Sequence, residues 1–271
     1  MMTKAKKRTI IITIAVVVLI AGLAFAYTFV GVGGLLQLFA TVDMSDKMTA
    51  EEFTDAHGQR LLFRLSVPDE DVPVPDDGFP LVLFLHGAGG RGNDNTAQTR
   101  INTVMQHLLG EFRADFPCII VAPQVPDPQN GYWSNVFDVT IELLDTLKGE
   151  LPINPDRVYI TGLSMGGGGT WGMIAKYPNY FAAAAPICGW GDSKTVSEIL
   201  HLPIWAFHGA LDWNVRVRYT REMVDALKAA GSTLIKYTEY PFESHCSWEL
   251  AYRDRELYEW MFAQIRSEDT Q

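Results

Sequence analysis

Continuous apolar runs, rather than alternating ones, mark most of the strands of this chain. Residues 81–85, 118–122, 157–161, 182–187 and 203–208 are short runs of this kind, and 234–240 is a more polar, strand-like one. Strands buried on both faces carry such runs, because helices cover both sides of a parallel sheet. The segments between them read as helices over 98–109, 136–148, 165–177, 216–230 and 252–265. Upstream, residues 44–54 form a polar stretch leading into a first strand, and 60–67 alternate as a second. Residues 68–80, rich in Asp and Pro, read as an exposed loop. The alternation predicts an α/β fold whose mostly parallel central sheet is flanked by helices on both faces.

The amino-terminal pattern is different. No charged side chain occurs from Thr9 to Val42, and residues 10–30 alone are long enough to cross a bilayer as a helix. Lys4, Lys6, Lys7 and Arg8 precede this run, and Asp43, Asp46, Glu51 and Glu52 follow it. That asymmetry predicts the amino terminus inside and the remainder outside the membrane. A retained anchor is the expected reading, since the apolar run outlasts a signal-peptide core; cleavage after Ala24-Phe25-Ala26, giving a secreted protein, is the alternative. The expected division is 1–42 as basic flank and membrane segment, 43–57 as linker and first strand, and 58–271 as one catalytic domain. The chain has 271 residues, 48% of them hydrophobic, which suffices for one substantial core. Its net charge of −10, with the basic cluster set aside at the amino terminus, argues against a nucleic-acid partner.

Candidate chemistry centres on Gly162-Leu163-Ser164-Met165-Gly166, which follows a strand and precedes a helix. A nucleophile on such a sharp turn needs neighbours without bulk, so that its hydroxyl stands clear of the sheet. The pattern alone arises by chance about 0.07 times in a chain of this composition, so its meaning rests on three further features. The strand at 81–85 runs into His86-Gly87-Ala88-Gly89-Gly90, a loop suited to aiming a backbone N–H at a developing oxyanion; the N–H of Met165 would be the second donor. Asp212 lies on a loop after the strand 203–208, at the strand end where ligands bind in open α/β sheets. Asp192 is the runner-up acid. In the chain order Ser, acid, His, only His245 follows both.

On the motifs His86-Gly87-Ala88-Gly89, Val121-Ala122-Pro123-Gln124, residues 158–167, Ala185-Pro186-Ile187-Cys188-Gly189, Phe207-His208-Gly209-Ala210 and the segment around His245, the chain resembles the α/β-hydrolase superfamily. More narrowly, it is similar to bacterial envelope esterases of the polyhydroxybutyrate-depolymerase-like and feruloyl-esterase-like group, often labelled predicted peptidases. The resemblance covers about residues 58 to 264. It implies Ser164 as nucleophile, Asp212 as orienting acid, His245 as base and an oxyanion hole from Ala88 and Met165, with no cofactor and no metal. The expected activity is carboxylic-ester hydrolysis; a serine peptidase, an acyltransferase and a silent fold are the alternatives. Only 189–202 separates two strands where many related hydrolases carry a lid, so an open cleft suited to bulky, aromatic or polymeric esters is expected. Trp213, where relatives often have a small residue or proline, makes the pocket near Asp212 bulkier.

Trp133, Trp190 and Trp213, on loops at the catalytic edge, are candidate substrate contacts, and Trp248 is a further possible wall. His86 and His208 read as structural histidines tying loops together. Cys118, Cys188 and Cys246 lack metal-type spacing; Cys118 reads as core, and a bridge between Cys188 and Cys246 is conceivable. Residues 166–169 lack the Lys-Ser/Thr of a phosphate loop and read as tight helix-on-sheet packing.

Overall fold

The computed structural model describes residues 44–100, 106–126 and 131–266. The expected membrane segment therefore lies outside the described residues, and among those described no helix is long and apolar enough to cross a membrane.

Eight strands form one sheet: β1 Thr49–Thr54, β2 Arg60–Ser66, β3 Phe79–Leu85, β4 Ile119–Gln124, β5 Ile153–Leu163, β6 Ala183–Ile187, β7 Ile204–Gly209 and β8 Ile235–Tyr240. Their order is β1-β2-β4-β3-β5-β6-β7-β8. The first two strands run antiparallel, and from β4 to β8 every pairing is parallel. All seven residues of β3 are buried, which is why it reads as an unbroken apolar run. Its side chains alternate between two cores. Leu81, Leu83 and Leu85 pack with Leu143, Leu144 and Leu147 of α1 (Phe137–Glu150), Met173 and Ile174 of α2 (Met165–Lys176), and Met223, Val224 and Leu227 of α3 (Arg218–Ala229). Val82 and Phe84 face Leu257, Tyr258 and Met261 of α4 (Arg255–Phe262) on the other side. Each such side chain, fully buried, contributes roughly 1.5–3 kcal/mol.

Two expectations change. β1 is hydrogen-bonded to β2 along its whole length, so the strand placed with the linker belongs to the central sheet. The helix expected over 252–265 is shorter, because Asp254 caps α4 by accepting the Glu256 N–H at 3.0 Å; a separate turn, Trp248–Ala251, precedes it. Of the helix expected over 98–109, the described parts are Ala97–Arg100 and a turn His107–Glu111. The connection from β6 to β7 holds a single 3-10 helix, Ser193–Ile199, and no lid.

Candidate active site

Ser164 stands at the turn between β5 and α2 with φ 55° and ψ −115°, a strained conformation for a residue with a side chain. Its N–H bonds to the Ile187 carbonyl at 2.9 Å, holding the turn against β6. The flanking glycines are required by space. A Cβ on Gly162 would stand 2.5 Å from the Gly166 carbonyl oxygen, and one on Gly166 would stand 1.8 Å from that of Leu85. The serine is thereby pressed out at the carboxyl end of the parallel sheet.

His245 arrives on the loop after β8. Its Nε2 lies 2.9 Å from Ser164 Oγ, and its Nδ1 lies 2.7 Å from Asp212 Oδ2. The arrangement fits one tautomer, in which Nδ1–H donates to the carboxylate and Nε2 accepts from the hydroxyl. Asp212 follows β7, and its Oδ1 accepts the N–H groups of Asn214 and Val215, both at 2.9 Å. Two backbone bonds stitch the acid loop to the histidine loop, Ala210 N–H to Tyr240 and Leu211 N–H to Glu243, each 2.9 Å. Asp212 is buried, which alone would raise its pKa; hydrogen bonds from His208 and His245 outweigh that and hold it down at about 2. The carboxylate is charged in the folded protein.

Sequence reading gave His208 only a structural role. Its buried ring places Nε2 3.2 Å from Asp212 Oδ2 and 2.9 Å from the Val215 carbonyl, with Nδ1 2.8 Å from Thr220 Oγ1. It is a second imidazole on the acid. The runner-up acid, Asp192, caps the Ser193–Ile199 helix through the Lys194 N–H and makes no bond to His245.

Ala88 opens a short turn, Ala88–Gly90, after β3, and Met165 is the first residue of α2, where backbone N–H groups have no partner inside the helix. His86 braces this side. Its Nδ1 bonds to the Gly87 carbonyl at 2.6 Å and its Nε2 accepts the Val125 N–H at 3.0 Å. Burial pushes its pKa down to about 4, against the opposing effect of the Gly87 bond, so the ring is neutral. Trp133 corrects an expectation. It is 2% exposed, donates its indole N–H to the His86 carbonyl at 3.0 Å and packs on Gly169, so it supports the loop from beneath and is not among the residues that line the cleft.

A cleft of about 250 Å³ lies over these groups, lined by Ala88, Gly89, Leu163, Ser164, His245 and Trp248. Trp248 stands edge-on to the His245 ring, 5.3 Å between centroids. Trp213, 71% exposed, is not among the cleft's lining residues, and Trp190 borders a separate trough. Cys188 Sγ lies 3.3 Å from the Ser164 nitrogen, and Cys188, Asp212 and His245 offer ligand atoms within 4.8 Å of one another. Two of those three donor residues are already bonded to each other, and burial, then the Asp212 charge, raises the Cys188 thiol well above its ordinary value. Cys118, Cys188 and Cys246 are all free thiols; the conceivable Cys188–Cys246 bridge is not formed.

This architecture is the α/β-hydrolase fold, which solved structures share. A thermostable esterase matches with a TM-score of 0.73 and 38% identity, over 82% of this chain and 64% of that one. A feruloyl esterase module from Clostridium thermocellum, crystallised with sinapinate, matches in fold with a TM-score of 0.64 at 15% identity, over 82% of this chain and 89% of that one. Poly(3-hydroxyalkanoate) depolymerase C of Paucimonas lemoignei is 50% identical over 48 residues, 18% of this chain and 12% of that protein. The family model described as "Putative esterase" matches residues 55–228, and the chain belongs to that family. It spans between 12% and 41% of the length of the curated relatives it matches.

Proposed function

We propose that the chain hydrolyses carboxylic esters through an acyl-enzyme on Ser164. The observation that carries this is the pair of hydrogen bonds, 2.9 Å and 2.7 Å, that links the Ser164 hydroxyl through His245 to the buried Asp212. As Ser164 Oγ attacks the acyl carbon, its proton passes to His245 Nε2, and the charged Asp212 stabilises the resulting imidazolium. The carbonyl oxygen takes up negative charge beside the backbone N–H groups of Ala88 and Met165. His245 then protonates the departing alcohol, and a water deprotonated by the same ring releases the acid and restores the serine.

Bulky, aromatic or polymeric esters suit the site, because the β6–β7 connection carries no lid and because relatives include a feruloyl esterase and a polyester depolymerase. The charge asymmetry around residues 9–42 supports placing the domain outside the cytoplasmic membrane. A serine-directed fluorophosphonate tests the nucleophile. Peptide mapping is expected to find the adduct on Ser164, and an adduct on another residue, or none, would contradict the reading.

A further inference from the structure

Among the described residues, the exposed aromatic side chains are Tyr132, Trp190, Trp213 and Phe242. They stand on the loops after β4, β6, β7 and β8, and all four loops leave the carboxyl ends of the parallel strands. Ser164 opens at that same end. At the opposite end, the large exposed side chains are Val67, Val74, Leu234 and Ile265, all aliphatic. The exposed rings are thus gathered on the catalytic face.

The centre of this face is a joined pair of loops. The Ala210 and Leu211 N–H groups bond to the Tyr240 and Glu243 carbonyls, each at 2.9 Å, and bring together Leu211 and Trp213 on one loop with Phe242 on the other. Phe242 is 65% exposed, nearly as much as Trp213. Asp212 and Glu243, the acids of these two loops, are buried, whereas Arg216 and Arg218 are exposed. At the flank, the Arg91 guanidinium lies over the Tyr132 ring, 5.2 Å from its centroid. A patch of rings and arginines therefore sits on a chain whose net charge is −10.

Such a surface fits a lipid headgroup layer. Trp, Tyr and Phe settle where headgroups meet acyl chains, and each arginine strengthens binding to anionic lipid by about fivefold. A second copy of the chain fits worse, because a two-fold contact here would set Arg216 and Arg218 against their own counterparts. A neutral apolar polymer would leave those arginines unmatched. Chain length allows the lipid contact: residues 10–30 are long enough to span a bilayer, and residues 31–43, fully extended, reach at most about 45 Å to Met44.

We propose that this face docks on an anionic bilayer, with Leu211, Trp213 and Phe242 in the headgroup layer and the cleft over Ser164 turned towards the lipid. The docking is a property of the surface and does not depend on the chemistry at Ser164.

The test places a polarity-sensitive fluorophore on the face through Phe242→Cys in the full chain. The native thiols are two buried and one half-buried, so the exposed thiol is the one labelled, and the wild-type chain carried through the same labelling sets the background. Glu150→Cys, exposed at the end of α1 on the opposite end of the sheet, is the reference position. The labelled proteins are reconstituted into vesicles with brominated acyl chains, of phosphatidylcholine alone or of phosphatidylcholine and phosphatidylglycerol in equal parts. In the mixed vesicles the fluorophore at position 242 is expected to shift to the blue and to be quenched, and the one at position 150 to do neither. Arg216→Gln combined with Arg218→Gln is expected to lower the docked-to-free ratio about 25-fold. Trp213→Cys, labelled alike, gives a second reading should Phe242→Cys fold poorly. Quenching that is absent at position 242, equal at 242 and 150, or unaltered by the arginine replacements overturns the proposal. A blue shift at position 242 that grows with protein concentration in detergent, without lipid, assigns the face to a second copy and overturns it as well. Ester turnover enters none of these readings, so failure of the esterase reading would leave them intact.

Discussion

The Nε2 atom of His208 lies 3.2 Å from Oδ2 of Asp212, the same oxygen that accepts from His245 Nδ1 at 2.7 Å. His245 thus holds one carboxylate oxygen, the His208 Nε2–H lies against the same oxygen while also meeting the Val215 carbonyl at 2.9 Å, and backbone N–H groups hold the other oxygen. His208 touches no reacting atom; it positions the acid. A hydrogen bond to a charged group contributes about 1.5–3 kcal/mol, so His208→Phe is expected to lower kcat by roughly 10- to 100-fold. KM for a small ester should stay within about twofold, because the loss is one of orientation in the transition state. His208→Gln, which keeps a donor, should recover part of the rate. Steady-state kinetics on the three proteins check this, and an unchanged kcat in His208→Phe would show that the backbone bonds alone hold Asp212.

Gly166 has no room for a methyl group, since its Cβ would lie 1.8 Å from the Leu85 carbonyl oxygen. Backbone is the obstacle, so no side-chain rotation relieves it. Gly166→Ala is expected to destabilise the fold by about 3 kcal/mol or more, read as a lower urea midpoint or loss of soluble protein. Gly89, with nothing within 4 Å of its Cβ position, should tolerate alanine with a change of about 0.5 kcal/mol or less.

Acid stability follows from two buried groups. His86 is held neutral, its pKa lowered from 6.5 to about 4, so between those values the unfolded chain binds the proton that the folded one refuses. Stability therefore falls as pH drops from 6.5 towards 4, by roughly 3 kcal/mol in all, and this contribution is then flat. Asp212 acts lower: its stabilisation is present above its unfolded value of 3.8 and is lost as pH falls towards 2, roughly 2 kcal/mol in all. Denaturant titrations at a series of pH values check both windows. His86→Gln should flatten the upper one and leave the lower.

The thiols are expected to be inert in the native protein. Burial pushes Cys118 up to about 12; burial, then the neighbouring carboxylates Glu249, Asp212 and Glu243, do the same for Cys246; and Cys188 is raised well above its ordinary value. A thiolate is the reactive form. Iodoacetamide near neutral pH should label none of them in the folded state and all three after unfolding, with or without prior reduction. Labelling of only one after unfolding without reduction would reveal a bridge.

Much of this was legible from the residues. Strands buried on both faces must be apolar throughout, so β3 and β4 could be read as runs, and three loops at the carboxyl ends of β5, β7 and β8 could be matched to serine, acid and histidine. β1 was not legible as part of the sheet, because its burial pattern is almost wholly exposed and its place is fixed by hydrogen bonds to β2. Trp133 sits between Tyr132 and Ser134 on what reads as a surface loop, yet its indole is drawn under His86 by a carbonyl acceptor 47 positions away in sequence. The bond from His208 to Asp212 depends on how the chain curls between residues 208 and 215, which periodicity does not encode. The aromatic face needs the loops after β4, β6, β7 and β8 to be gathered at one end of the sheet before it can be seen.

The most direct test of the central claim is hydrolysis of a chromogenic ester series, from acetyl to long and aromatic acyl groups, by the wild-type chain and by Ser164→Ala. The account predicts turnover that falls at least about 1000-fold in Ser164→Ala while folding is retained. Retention of ester turnover within about tenfold in that variant would contradict it, since the reacting nucleophile would then lie elsewhere.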